Sequence, residues 1–149
     1  SDISEIVMGT RAFAMVARYA EIYERSLDVL TPPMLRQVGN AAGVDVKTIA
    51  KAERLRTHYW QRVRRLFEDY DYLMLPVCGV AGFRRDGERP PYDAFFATYA
   101  ISVVGLPAIS VPCGLTHDGL PVGLQIVGRR FHEDRVLEAG AMYANSRSV

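Results

Sequence analysis

Cysteine, lysine and tryptophan are scarce in this chain of 149 residues, which has two cysteines, two lysines and one tryptophan. Cys78 and Cys113 are too few for a disulfide framework and read as small buried or half-buried thiols of a reducing compartment. His58, His117 and His132 show no ligand-like spacing with them, so neither a zinc site nor any other metal or cofactor is expected. No apolar run reaches the roughly 20 residues that a membrane-spanning helix needs. The N-terminus also lacks the charged-then-apolar layout of a signal peptide. The sequence therefore predicts a soluble, cytoplasmic protein without a membrane partner. Eighteen basic against 17 acidic residues leave a net charge of +1 and no electrostatic case for nucleic acid as a partner. Internal repeats, low-complexity tracts and Gly-x-Ser-x-Gly elbows are all missing.

What the chain does have is a double string of apolar residues punctuated by glycine and proline. Gly105-Leu106-Pro107-Ala108-Ile109-Ser110-Val111-Pro112-Cys113-Gly114 is followed at once by Gly119-Leu120-Pro121-Val122-Gly123-Leu124-Gln125-Ile126-Val127-Gly128. Ala108 to Val111 and Val122 to Val127 are rich in β-branched residues and too short for buried helices, which predicts two strands. Asp118-Gly119 between them is a turn dipeptide. Apolar residues at consecutive positions predict that neither strand turns a face to water. Tyr72 to Val77 forms a third short strand ended by Pro76 and Gly79.

Helical patterns surround these strands. Asp2 and Glu5 have the spacing of a capping box. Ile6, Phe13, Val16, Ala20, Tyr23, Leu27 and Leu30 form a helical stripe, with Met8, Ala12, Met15, Tyr19 and Ile22 beside it, so a largely buried helix is expected from Asp2 to about Leu30. Pro32 opens a short helix ending near Gly43. Asp45 caps a third from Val46 to about Asp69, with its stripe at Ile49, Ala52, Leu55, Tyr59, Val63, Leu66 and Tyr70. Its arginines read as a solvated face, because Tyr59 and Trp60 lie where they would pack rather than stack on bases. Gly82 to Pro91, with Arg84, Arg85 and Arg89, is a polar loop; Asp93 to Val104 is a short aromatic helix. Glu133 and Asp134 open a last helix whose apolar face is Val136, Leu137, Ala141, Tyr143 and Ala144. The chain is expected to be a single partial domain, helical over residues 1–70 and α/β over residues 71–149.

The two glycine-proline strings closely resemble the C-terminal part of the amidase signature family, densely from Tyr72 to about Tyr143. The resemblance implies an α/β fold, with helices packed on strands of a mixed sheet that is incomplete in this chain. It also implies amide hydrolysis or transfer through a Ser–cis-Ser–Lys triad in the whole enzyme. The Gly-Ser-rich loop that carries that triad has no counterpart here. The only lysines, Lys47 and Lys51, sit at the start of a helix, so no catalytic residue is assigned. A Cys113–His117 thiol–imidazole pair is disfavoured, since both flank a tight turn and nothing evident orients the histidine.

Carried over position by position, the resemblance implies that Val77, Cys78, Phe95, Phe96, Thr98 and Ser102 help wall an acyl pocket for a small amide. Family members often have Thr at the position of Val77 and Asn at that of Ser102. Glutamine-using amidotransferase subunits have an Asp about where Phe95 stands. These departures favour a less polar substrate than glutamine. The implied partners are the missing N-terminal part of the same enzyme and further copies of the chain. Two alternatives stay open: the glutaminase subunit of an aminoacyl-tRNA amidotransferase, and a helical interaction module on an amidase-like scaffold.

Without a Gly-Ser loop the isolated chain is expected to hydrolyse no amide or ester. A panel of aryl amides and a serine-reactive fluorophosphonate check this. Stoichiometric labelling of one serine, or saturable turnover, would overturn it.

Overall fold

The computed structural model describes residues 2–25, 27–83, 86–88 and 90–146. They divide into two compact units, residues 1–59 and 60–149.

The first unit is helical. Helix α1 (Asp2–Arg25) is followed by a 3-10 turn (Leu27–Val29), helix α2 (Pro32–Ala42) and the first part of helix α3 (Val46–Asp69). Pro32 stands at the start of α2, where its missing N–H costs nothing, and Gly43 follows the helix. Asp45 caps α3 by accepting from the Thr48 amide at 2.7 Å. Hydrogen bonds from the Thr48 hydroxyl and amide hold its carboxyl below the usual aspartate range. Ile3, Ile6, Val7, Ala12, Leu30, Val38, Ala41 and Ala52 are buried. A side chain at Gly9 would collide with Ala52, so glycine sets how closely α1 approaches α3.

Three expectations for this unit change. Asp2 is itself the first residue of α1 rather than its cap, and Glu5 forms an ion pair with Lys51 instead of closing a capping box. Helix α1 ends at Arg25, short of Leu30. The helix is also not largely buried: Met8, Phe13 and Ile22 are exposed, Phe13 at 61%. Its apolar width exceeds what the described residues of this chain cover. Tyr23 and Leu27 of the same stripe have side chains outside the described set.

The second unit holds the sheet. Strand β1 (Tyr72–Pro76) leads through a loop and a 3-10 turn (Tyr92–Phe95) to helix α4 (Phe96–Ser102). Arg84, Arg85 and Arg89 of that loop lie outside the described residues. Strands β2 (Ala108–Leu115) and β3 (Pro121–Gly128) and helix α5 (Glu133–Ser146) complete the unit. The sheet has the order β1-β3-β2 and both pairings are antiparallel. Register runs Leu73↔Val127 and Pro76↔Leu124 on one edge of β3, and Ala108↔Val127 and Val111↔Leu124 on the other. The hairpin turns at Thr116 to Leu120, closed by Thr116 N–H to Leu120 O at 2.7 Å, with Gly119 at φ 77°. Only glycine adopts that angle without strain. A register shift between Pro112 and Gly114 leaves a bulge at Cys113.

Helix α5 covers one face of the sheet at very short range. A Cβ at Gly140 would stand 2.9 Å from Ile109 Cδ1, and Gly128 gives room to Val136. Ile126, Val111 and Val136 are buried on this face, and Val127 is buried on the opposite one. The opposite face, carrying Leu75, Gln125 and Ser110 in register, is mixed. Gln125 is 8% exposed, and its Oε1 is a buried side-chain acceptor without a partner among the described residues. After β3, Arg129 donates from its guanidinium to the Phe67 carbonyl near the end of α3. Arg130 stacks between Trp60 at 5.5 Å and Phe131 at 4.9 Å.

Here too the apolar patterns overreach. Strand β2 does turn a face outward: Ala108, Ser110 and Pro112 are exposed while Val111 is buried. On α3 Leu66 is exposed, as is Tyr70 just past its end, and Phe67 is buried instead. On α5 the inward positions are Val136 and Gly140, one helical turn apart, whereas Leu137 is 61% exposed. In each case the backbone element forms where predicted, but the buried face is chosen by the nearest partner.

Two outcomes follow. Gly140→Leu should destabilise the protein by about 1–3 kcal/mol, since the added carbons meet Ile109 and Val111; an unchanged melting temperature would contradict this packing. The isolated chain should associate, because each aliphatic side chain left in water forgoes roughly 1.5–3 kcal/mol of burial and open strand edges recruit other chains. Sedimentation showing a monodisperse, cooperatively melting monomer would count against it.

Candidate functional site

The end of β1 and the start of β3 meet because the strands run antiparallel, with Pro76 opposite Leu124. The chain leaving β1 therefore turns beside the chain entering β3. Val77 extends the pairing by donating its N–H to Gly123 O at 3.2 Å. Its carbonyl accepts from the Thr98 hydroxyl of α4 at 3.0 Å, and Gly79 N–H donates to Ala94 O at 2.7 Å. Gly123 makes the approach feasible, since a Cβ there would lie 3.0 Å from Val77 Cγ2 and 2.8 Å from Ser110 Oγ.

A cleft of about 310 Å³ opens at this junction. Residues 77–82 line one side; Thr116, Pro121, Val122 and Gly123 line the other. No charged side chain is among them. The available polar groups are the Cys78 thiol, the Thr116 hydroxyl and backbone amides. The Thr116 hydroxyl already accepts from Leu120 N–H at 3.0 Å. Such a wall favours an uncharged, largely apolar group and supplies neither a strong base nor a counter-ion.

A larger, polar cleft of about 460 Å³ is lined by Asp71, Tyr72, Arg129, His132 and Arg135. Size does not make it the better site. Arg129 is bonded to the Phe67 carbonyl, the Tyr72 hydroxyl donates to Arg135 O at 3.1 Å, and Arg135 pairs with Glu138. These groups tie α3, β1 and α5 together.

Of the residues that the resemblance nominated, the structure brings Val77 and Cys78 into the apolar cleft, both half-buried. Thr98 is half-buried behind it and reaches the wall through Val77 O. Phe95, half-buried, precedes α4, and Phe96 is 44% exposed on it. Ser102 is exposed and donates to Thr98 O at 2.8 Å. None of these four, Thr98, Phe95, Phe96 and Ser102, lines the cleft in this chain. Thr116, Pro121, Val122 and Gly123 were not nominated, although the Leu-Pro-Val-Gly start of the second string signals the last three once β1 is known to pair with β3. His117 is fully exposed beside Asp118, and Lys47 is exposed on α3. Among the described residues no three His, Cys, Asp or Glu side chains converge as a metal site would require.

Comparison with known proteins places this geometry. The glutamyl-tRNA(Gln) amidotransferase A-subunit of Brevibacillus brevis is 40% identical over 97 residues, covering 62% of this chain and 20% of that protein. The protein of the same name from Archaeoglobus fulgidus is 36% identical over 110 residues, covering 72% and 24%. The chain thus spans about a fifth to a quarter of the curated relatives it matches. Among solved structures, a bacterial aryl acylamidase of the amidase signature family superposes with a TM-score of 0.77 at 23% identity, covering 99% of this chain and 34% of that one. An amidase gives 0.82 at 19% identity, covering 97% and 35%. At those identities the likeness is one of fold. The Amidase family model matches residues 11–137, and by that match the chain belongs to the amidase signature family.

Proposed function

We propose that this chain is the C-terminal part of an amidase-type hydrolase and supplies scaffold and one wall of its acyl pocket. The whole protein hydrolyses a carboxamide through a serine acyl-enzyme whose nucleophile, base and oxyanion donors lie on a part of the protein outside this sequence. The observation that carries the reading is the charge-free cleft between residues 77–82 and Gly123, where the strand ends converge. A small amide enters with its acyl group against Val77, Cys78 and Val122, while Phe95 and Phe96 of the neighbouring helical segment extend the apolar surroundings. The short coverage of the relatives supports an enzyme completed by further chain.

A second reading is favoured by sequence. Relatives of up to 40% identity carry the name of the glutamyl-tRNA(Gln) amidotransferase A-subunit, which would make glutamine the substrate. The apolar cleft argues against it. A free α-ammonium group placed there would lose its hydration without a carboxylate to replace it, at a cost of several kcal/mol.

The intact enzyme should therefore prefer an arylacetamide over glutamine by about a hundredfold in kcat/KM, equivalent to roughly 2.7 kcal/mol. Steady-state kinetics on the two substrates measure this, and Phe95→Asp should narrow the ratio. Equal use of glutamine by the wild type would favour the amidotransferase reading. A ratio untouched by Phe95→Asp would remove Phe95 from the site.

A further inference from the structure

Val77 lies at the start of the cleft wall, and both of its backbone groups are held. Its N–H is fixed to β3 through Gly123 O, and its side chain lies against the bare Cα of Gly123. Its carbonyl is held by the Thr98 hydroxyl at 3.0 Å in a partly buried position. Two residues on, Gly79 N–H reaches Ala94 O. Of these three hydrogen bonds, the one from Thr98 is the only one made by a side chain, so it is the one that a substitution can remove while leaving the backbone path intact. Thr98 also lies mid-helix, and the Ser102 hydroxyl caps its carbonyl at 2.8 Å, which steadies the turn carrying it.

We infer that Thr98 is a positioning residue for the acyl pocket: its hydroxyl holds the Val77 carbonyl and so sets where Val77 and Cys78 stand. The inference rests on the acyl-pocket reading for its effect on catalysis, while its geometric half stands on the hydrogen bond alone. Thr98 does not itself line the cleft, and its influence runs through its bond to the Val77 carbonyl. Valine at this position keeps the shape and loses the donor; serine keeps the donor and loses a methyl group.

The test uses the intact protein with Thr98→Val and Thr98→Ser, and two readouts. The first is the rate at which iodoacetamide alkylates Cys78, resolved from Cys113 by peptide mass mapping. The second is steady-state kinetics on an arylacetamide. Thr98→Val is expected to speed alkylation of Cys78 severalfold with Cys113 unchanged. It should also raise KM roughly tenfold, the equivalent of one lost net hydrogen bond, with kcat within about twofold. Thr98→Ser should return both readouts to wild type. Thr98→Ala replaces Thr98→Val should the latter not fold. A wild-type rate at Cys78 overturns the inference whatever the kinetics, as does equal acceleration at Cys113, which would mean general loosening. Faster labelling with unchanged KM overturns it too, since the wall would then not govern acyl fit. If the wild type turns over no carboxamide, the acyl-pocket reading falls, and Cys78 labelling alone decides whether Thr98 holds the loop.

Discussion

Hydrogen bonding of β3 along both of its edges is the constraint on which the second unit depends. A strand with partners on each side satisfies its backbone completely, so its residues can leave water; Ile126 and Val127 are wholly buried. β1 and β2 each borrow one edge from it. The same arrangement explains where proline is tolerated. Pro76 and Pro112 both lie on strands with a single neighbour among the described residues, where a missing N–H deprives no second partner. Burying β3 also carries a cost, visible in the Oε1 of Gln125, which has no partner among the described residues and for which about 1–3 kcal/mol is the usual penalty.

Much of the backbone was legible from the residues. Asp45, the stripe behind it and the run of good helix formers delimit α3 at Val46 and Asp69, and Pro32 and Gly43 bracket α2. These signals are local, acting within a turn of the chain, so they survive without knowledge of the rest. The strands were also legible, though β2 and β3 run further than their β-branched cores, because a paired neighbour holds even Pro112 and Gly114 in the ladder.

Sidedness was less legible. Phe13, Leu137 and Tyr70 fit apolar stripes and are exposed, while Phe67, off its predicted stripe, is buried. Periodicity states which residues can share a face; whether that face has a partner is a property of the fold. The site divides in the same way. Val77 and Cys78, nominated by the family resemblance, lie in the apolar cleft. Thr116, Val122 and Gly123 required the β1–β3 pairing, a long-range fact that no spacing within either segment encodes. Phe95, Phe96, Thr98 and Ser102, nominated by the resemblance, lie outside the cleft lining here.

The strand order has a consequence for the time course of folding. β2 and β3 are joined by a tight turn at Gly119, so their pairing is a local event of the hairpin kind, which takes microseconds. β1 must cross the whole segment carrying α4 and β2 before it meets β3, and that closure is entropically unfavourable until α5 and the hairpin offer a surface to receive it. The cleft is built from the end of β1 and the start of β3, so it comes into being only once β1 has docked. A chain stalled before that step would hold a native hairpin and helices yet have no pocket at all.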